Sequence, residues 1–481
     1  MKIKYYIVAF ASLLLTSCSD FLDLTPISEA SSANYYKNTS DINSALSACY
    51  GSLQGTYQYG EYFISLMELR SDNVEDINPG GAAGMFYFID NFTATSGNNV
   101  VRYAWKELYN QIYRCNNVLA SIDVVTDAAL KKQYEGEAMF LRALAYFNIV
   151  RLWGAAPLIL KPVTAAEAKS YGRSAVADVY KAIEEDLEVA SGMLTSAYDD
   201  DNLGRATSVA AKALLAKAYL TQQKWSAAAT LLDNIVKDYS SKYGLQNTVA
   251  DVFDVNQEMN KEILFAVRYS KSVLGEGHGY NDYFKDKSVI DSKLLASYGN
   301  TDDRKAMIEY KKVDANNNVI AKYYDTFDAT TAKVGFDLPL LRWADVLLMC
   351  AEAHNEVAYE NSESSKALSY LNLIRNILAI KAFMNYVMPS HICKRANAVE
   401  YKVTDLKDQS AFRKAVLEER RLEFPFELHR WFDLIRTDTA IEAMSKVGFT
   451  ITKNDYLYPI PKTEVDLIDN PETFPQNPGY N

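Results

Sequence analysis

The sequence predicts a mostly α-helical protein: a tetratricopeptide-like scaffold of helix pairs with long irregular insertions and a few short strands. Three observations predict it. Apolar residues recur at three- and four-residue spacing through much of the 481-residue chain, which is the period of one helix face. A small residue is followed three places later by an aromatic or His at Ala143/Tyr146, Ala216/Tyr219 and Ala351/His354. Between the periodic stretches, segments 56–98, 239–340 and 380–408 show little period and are rich in Gly, Asn, Asp and aromatic residues.

The chain begins with Lys2 and Lys4, an apolar run from Tyr5 to Leu15, and then Leu15-Thr16-Ser17-Cys18. A positive flank, a short apolar stretch and small residues before a break are the parts of an export signal. The run is about half the ~20 residues needed to span a bilayer. A cysteine stands where cleavage would fall, and the pattern resembles a bacterial lipobox. On that reading residues 1–17 are a signal peptide and Cys18 is the lipidated first residue of the mature chain. A plain signal peptide with an incidental cysteine is the alternative. Two or three acyl chains anchor stably where one does not. No later stretch is long and apolar enough to span a membrane.

Residues 18–481 then form one body. Its parts are an N-terminal helical region (18–225), an irregular ligand-facing insertion (226–340) and a C-terminal part (341–481). In the first, Trp105, Leu108, Tyr109, Ile112, Cys115, Leu119 and Ile122 mark a helix within 99–123. Leu130, Tyr134, Leu141, Leu144, Ala145 and Leu152 mark another over 127–153, ending at Gly154 with Pro157 beyond, a common helix exit. A third starts at Ser174, a plausible N-cap, and runs through Val176, Val179, Ile183, Leu187, Ala190 and Leu194. After Ala216/Tyr219 the chain turns at Gln222–Trp225 into Ala228 and Leu232. The pair 342–378 repeats the idea with a longer turn at Asn361–Ser365. A small residue lets two helices approach, and the ring one turn on fills the neighbouring groove, as in tetratricopeptide pairs.

Strand signals are sparse: Ile263–Val267, and a hairpin around Val313–Tyr324 turning at Asn316-Asn317-Asn318. Irregular segments this long inside a compact protein are functional or disordered, and their aromatic content argues against disorder. The tail from Tyr456 carries Pro459, Pro461, Pro471, Pro475 and Pro478, so it should run extended over the surface.

Composition narrows the function. With 49% hydrophobic and 23% charged residues the chain can bury a sizeable core. Loss of the two positive charges of Lys2 and Lys4 takes the formal charge from −11 to −13. A body this acidic gains nothing from counterion release on nucleic acid. After Cys18, Cys49, Cys115, Cys350 and Cys393 are far apart, with neither a disulfide framework nor a metal-ligand spacing.

No enzyme constellation emerges, and no cofactor is expected. Glu418, Glu419, Arg420, Arg421 and Glu423 form the densest charge block. A carboxylate pair can hydrolyse a glycosidic bond at about 5 or 6.5–9.5 Å separation. Here the intervening arginines should hold the acids ionised in an ion-pair network and suppress a general acid. His278, His354, His391 and His429 form no close pair, and neither a G-x-S-x-G elbow nor a glycine-rich phosphate loop appears. Asp314, Asn316, Asn318 and Asp325 have the spacing of a calcium loop, but Val319 occupies the place that needs glycine. A hairpin turn accounts for them.

Core packing accounts for Trp105, Trp153, Trp225, Trp343 and Trp431, all in or beside helical patterns. The aromatics free to meet a ligand should lie in the irregular segments. They are Tyr87 and Phe88; Tyr280, Tyr283 and Phe284; and Tyr323, Tyr324 and Phe327. Arg70, Asp72, Asn73, Asn98 and Asn99 lie near the first group. A sugar ring exposes a C–H face and a rim of hydroxyls. Tyrosine, at 34 residues, offers an apolar face with a polar tip, and Asn, Asp and Arg supply edge donors and acceptors.

The blocks 137–148 (EAMFLRALAYFN) with Arg151-Leu152-Trp153-Gly154, then Gly204-Arg205-Ala206-Thr207, 213–220, 342–349, Leu371–Arg375, 418–421 and His429–Leu434 resemble the SusD/RagB family in order. So do the closing Tyr458-Pro459-Ile460-Pro461 and Gln476-Asn477-Pro478-Gly479-Tyr480. The likeness is weakest at 239–340. It departs after Arg375, where Asn376-Ile377-Leu378 leads into an unusual 379–395, and at Leu428, where the family commonly has glycine. The resemblance implies a non-enzymatic lipoprotein on the outer face of the outer membrane. Its partner would be a SusC-like TonB-dependent transporter, which it covers like a lid. Its cargo would be a glycan oligomer, or a peptide as in RagB-type relatives; a surface glycosidase and a protein-binding scaffold are the rivals. The lipobox yields a first prediction: Cys18→Ala should release the protein from the membrane, measured by fractionation, and a variant held as firmly as wild type would refute lipidation.

Overall fold

A computed structural model describes residues 35–273, 276–277, 288–312, 318–325, 335–375 and 395–480. Helices dominate. In the N-terminal half they are α1 (Thr39–Gly51), α2 (Phe63–Glu68), α3 (Met85–Asp90), α4 (Asn99–Ala120), α5 (Ala128–Trp153), α6 (Val176–Met193), α7 (Ser208–Thr221) and α8 (Trp225–Tyr239). The C-terminal half carries α9 (Trp343–Val357), α10 (Lys366–Arg375), α11 (Gln409–Glu423) and α12 (Arg430–Arg436). From α4 to α10 each of these helices packs on the next in the chain, which is the helix-pair scaffold the sequence predicts.

The local chemistry explains the boundaries. Asn98 caps α4 by accepting from the Val100 and Val101 N–H groups at 2.9 and 3.3 Å, and Asp127 caps α5 in the same way at Ala129 and Leu130. α5 ends at Gly154, whose φ of 73° suits glycine. Gly136 sets the approach of α5 to α6, since a Cβ there would stand 2.9 Å from Met193 Cβ. The start of α6 differs from expectation: its N-cap is Ala175, without a side-chain bond. Ser174 instead pairs its backbone with Ala156 at 3.0 and 3.3 Å.

Ala143, Ala216 and Ala351 are fully buried at helix contacts. Their rings do different work. Tyr146 is buried, accepting from Ile159 N–H at 2.7 Å and donating to Ile159 C=O at 3.0 Å. Tyr219 and His354 reach carboxylates on neighbouring helices, Glu188 at 2.8 Å and Asp233 at 3.0 Å. Trp105, Trp153, Trp343 and Trp431 are core residues. Trp225 is only half-buried, because it opens α8 at the turn rather than facing α7 along its length.

The strands form two-stranded antiparallel pairs: β1 (Val74–Asp76) with β3 (Ser288–Ile290), β2 (Ile263–Val267) with β6 (Leu338–Arg342), and β4 (Tyr310–Lys312) with β5 (Asn318–Ile320). The predicted hairpin is therefore present, with Asn318 in its second strand; residues 313–317 lie outside the described residues. The proline-rich tail contains a helix at Lys462–Ile468 and sinks Tyr458 and Ile460 into the core. Trp153 Nε1 donates to Pro459 C=O at 3.1 Å, and Asn477 Nδ2 to Trp153 C=O at 3.0 Å. Cys49, Cys115 and Cys350 are buried free thiols.

The charge block on α11 is the ion-pair network the sequence predicts, and it is buried. Glu423 meets Arg395 at 2.6 Å and Arg304 and Arg342 at 3.2 Å. Glu419 takes Arg304 at 2.7 Å and also Arg375. Arg420 turns away to Asp345 and Asp433 at 2.7 and 2.8 Å. Burial alone would raise the Glu423 carboxyl, but the three arginines hold it well below the usual range. Removing one partner of such a buried set strands the others and costs about 3–5 kcal/mol. Glu423→Gln should therefore lose about that much unfolding free energy in a denaturant titration; a loss too small to resolve would show the network to be dispensable.

Candidate functional site

The aromatic surface is built around α3. Phe86, Ile89 and Asp90 face inward, while Tyr87 is half-exposed and Phe88 is 45% exposed. Gly84, at φ 76°, precedes the helix, and the Phe88 ring folds back so closely that a Cβ there would lie 2.9 Å from it. Asp90 ties α3 to β1 by accepting from Asp76 N–H at 3.3 Å. Burial pushes the Asp90 carboxyl up to about 8. Ile77, just past β1, is 56% exposed. Beyond β3, Tyr310 of β4 is exposed, and Lys311 Nζ sits 3.5 Å from the centroid of the half-buried Tyr324 ring.

Tyr323 and Tyr324 part company. Tyr324 looks outward, whereas Tyr323 is 1% exposed, stacked on Phe336 at 4.8 Å and donating to Phe426 C=O at 2.9 Å. The expectation of a solvent-facing Tyr323 is corrected accordingly. Asp325 then pins two chain segments, taking Lys271 Nζ at 2.6 Å and Gly335 N–H at 3.0 Å.

The polar residues expected beside Tyr87 are mostly framework. Arg70 is fully buried, donating to Asp455 C=O at 2.8 Å with its guanidinium 3.7 Å from the Tyr458 ring centroid. It fastens the tail. Asp72 accepts both arms of Arg430 at 2.7 and 2.8 Å; burial alone would raise it, but Arg430 and Arg421 hold it below the usual carboxylate range. Asn73 is buried and accepts from Arg421 Nε at 3.0 Å. Asn98 is the buried cap of α4, with Nδ2 donating to Met85 C=O at 3.0 Å. These four are withdrawn from the surface because each is spent on holding elements together. Asn99 is exposed beside the cap. Tyr280, Tyr283, Phe284 and Phe327 lie outside the described residues.

The charge block offers no free acid pair. Glu419 and Glu423 are buried against arginines, and only Glu418 is partly exposed, 3.6 Å from Arg421. Glu68 is raised to about 8 by burial, yet it is sealed from solvent and accepts from Leu428 N–H at 2.6 Å. Among the described residues no group of three His, Cys, Asp or Glu could hold a metal ion, and no helix is long and apolar enough to cross a membrane. A groove of 280 Å³ lies at the end of α1, between Tyr50, Gln54, Arg205 and Arg268. It takes in none of the expected site residues, and its arginines are paired with Glu137, Glu258 and Asp337.

A second aromatic group was not expected as a site. Tyr57, in a π-helical turn at Thr56–Gly60, lies 4.7 Å from Tyr103 of α4 and 5.1 Å from Tyr62. Tyr62 in turn lies 5.3 Å from Phe86 of α3. The four rings come from three separate segments, so no local motif announces them.

Known proteins share both sequence and architecture with this chain. Residues 20–220 match a family profile described as starch-binding associating with outer membrane, and residues 194–480 match that of the SusD family. SusD-like protein P2 of Formosa agariphila is 27% identical, over 99% of this chain and 100% of that protein. A SusD-like protein of Bacteroides ovatus is 24% identical, over 90% of this chain and 82% of that protein. Among solved structures, a laminarin binding SusD-like protein superposes with a TM-score of 0.74 at 24% identity, covering 92% of this chain and 100% of that one. Surface glycan-binding protein A from Bacteroides thetaiotaomicron in complex with laminarihexaose does so at 0.73 and 20% identity, covering 92% and 99%. At these identities the structural likeness establishes the fold. Outward-facing rings should carry little stability. Phe88→Ala and Tyr324→Ala should melt near wild type while Trp153→Ala loses about 3–5 kcal/mol; marked unfolding of the first two would make α3 and Tyr324 core instead.

Proposed function

The chain belongs to the SusD family, and from that membership we propose that it is a lipid-anchored protein of the outer-membrane surface that captures glycan oligomers. It passes them to a TonB-dependent transporter of the SusC type. One observation carries the binding part: α3 leaves Tyr87 half-exposed and Phe88 exposed, while the acids of the densest charge block are locked in ion pairs. Ring faces that reach solvent can stack on sugar faces. Carboxylates held ionised by arginine cannot serve as general acids. The binding surface comprises Tyr87, Phe88, Asn99 and Tyr324, with Tyr280, Tyr283, Phe284 and Phe327 completing it on sequence grounds. Two solved neighbours, whose descriptions name laminarin and laminarihexaose, point to a β-glucan-like cargo.

Calorimetric titration against a panel of glycans, laminarin among them, and of peptides tests this. A glycan should bind without yielding shorter products over hours, and with little response to salt, because a neutral sugar offers no charge to screen. Phe88→Ala and Tyr324→Ala should each weaken binding by ~1–3 kcal/mol, on the scale of base–aromatic stacking. Binding of peptides alone would move the protein to the RagB-type cargo. Steady release of shorter products, abolished by a single carboxylate substitution, would make it an enzyme.

A further inference from the structure

Tyr57 and Tyr103 sit at the surface outside the hydrophobic core, and Tyr62 beside them packs against it. All three rings are half-exposed. Neither Tyr57 nor Tyr103 uses its hydroxyl on the described protein, in contrast to Tyr146, Tyr323 and Tyr458, whose hydroxyls are all engaged. Arg102 adds a second unusual feature. Its guanidinium lies 4.3 Å from the Tyr103 ring centroid, yet it makes no ion pair or side-chain hydrogen bond with the described residues, and its Nε has no partner. Most buried or half-buried arginines of this protein are bound to carboxylates or carbonyls. This one is stacked on a ring with its donors unspent.

The turn that presents Tyr57 is held in place. Glu107, one helical turn beyond Tyr103 on α4, accepts from Tyr57 N–H at 3.1 Å, and Gln58 Nε2 donates to Glu107 C=O at 3.3 Å. Gly55 lets the two segments close up there: a Cβ would stand 2.4 Å from the Glu107 carboxylate, which would have to shift. The turn is a π-helical one with Gln58 at φ −110°, ψ −139°, a feature that recurs at functional sites. A glycine and a carboxylate thus hold the turn that sets the Tyr57 ring against Tyr103.

We infer that the ligand surface continues from α3 across Tyr62 onto Tyr57 and Tyr103, with Arg102 donating to sugar hydroxyls at its end, so that a long oligosaccharide is gripped by two aromatic platforms and a short one by α3 alone. The inference rests on the glycan-binding reading above. Two things on the surface fit that occupant. Tyr57 lies 4.7 Å from Tyr103 and 5.1 Å from Tyr62, with the rings tilted or edge-on to one another, so the group offers ring faces in more than one direction to a sugar chain. Free tyrosine hydroxyls and a free guanidinium offer both accepting and donating groups to a hydroxyl rim. Beneath the surface the group is joined to α3 through the buried Phe86 ring, 5.3 Å from Tyr62.

The test titrates laminaritriose and laminarihexaose into the full mature protein and into Tyr57→Ala/Tyr103→Ala, Arg102→Ala and Phe88→Ala. Wild type should bind the hexaose more tightly than the triose. The tyrosine double variant should lose about tenfold or more in hexaose affinity with the triose unchanged. Arg102→Ala should show the same length dependence at smaller amplitude, and Phe88→Ala should weaken both ligands. Should the double alanine variant fail to keep the wild-type melting temperature, Tyr57→Phe/Tyr103→Phe with Arg102→Ala takes its place: the phenyl faces remain, the donors go, and hexaose binding alone should fall. A folded variant that binds the hexaose as wild type does overturns the inference and leaves the glycan reading standing. A wild type that binds neither ligand overturns the inference for a laminarin-type chain, and one that also binds no glycan of the panel overturns the glycan reading.

Discussion

Successive charged side chains of α11 point in different directions, and each is caught by a different part of the chain. Glu419 and Glu423, one turn apart, face Asp302-linked Arg304, Arg342 and Arg395. Arg342 and Arg395 also share Glu262, and Arg342 and Lys322 share Glu427. Arg420 joins Asp345 and Asp433, and through Asp345 reaches Lys217. Arg421 takes Asp72. A buried charge costs several kcal/mol unless it is paired and hydrogen-bonded. The solution here is near-neutral bookkeeping: around Glu423, the acids 262, 302, 419, 423 and 427 meet Arg304, Lys322, Arg342, Arg375 and Arg395. Such a set adds less net stability than its contacts suggest. It does make any other arrangement of these segments expensive, because every misplaced partner strands a charge.

That constraint reaches the proposed ligand surface. Asn73, bonded to Arg421, passes its carbonyl to Asp291 N–H at 2.9 Å, at the end of β3. β3 pairs with β1, and β1 holds α3 through Asp90. The rings of α3 therefore stand at the end of a chain of hydrogen bonds that begins in the buried network. Lys322, bound to Glu427 at 2.5 Å, directly precedes the Tyr323/Tyr324 pair, so the second group of rings is tied to the same network. A surface held this way needs little ordering when a ligand arrives, and ordering is what erodes affinity for flexible sites.

How far the sequence could be read follows from the range of each interaction. Period is local, so α4 and α5 were legible almost to the residue and Gly154 marked where α5 stops, whereas Asn98 and Asp127 emerge as their caps only in the structure. The charge block was legible as a network because its members are neighbours on one helix. Asp72 and Asn73 were misplaced for the opposite reason: their partners, Arg421 and Arg430, lie some 350 residues away and make a polar cluster near aromatics into framework. Tyr323 and Tyr324 share a composition but not a face, and one backbone step decides which is buried. Tyr103 read as one more position on a long helix. Its proposed role emerges only when a turn far earlier in the chain, held by Glu107, places Tyr57 beside it.

The buried and exposed chemistries are complementary. Most carboxylates and guanidiniums that reach the interior are consumed by one another, and what α3 and the tyrosine turn present outward is apolar faces with neutral hydroxyls. Stacking contributes in small, separable amounts, ~1–3 kcal/mol per ring on the nucleobase scale. A ligand held by several such contacts binds firmly in sum, yet it can leave one ring at a time, without a single large barrier. Ion pairing would act differently. One desolvated charge pair concentrates its energy in a single contact, and breaking it leaves a charge unpaired. The proposed role, taking up an oligomer and giving it up again, is better served by the first arrangement, and locking most acids and arginines inside leaves the surface free to adopt it.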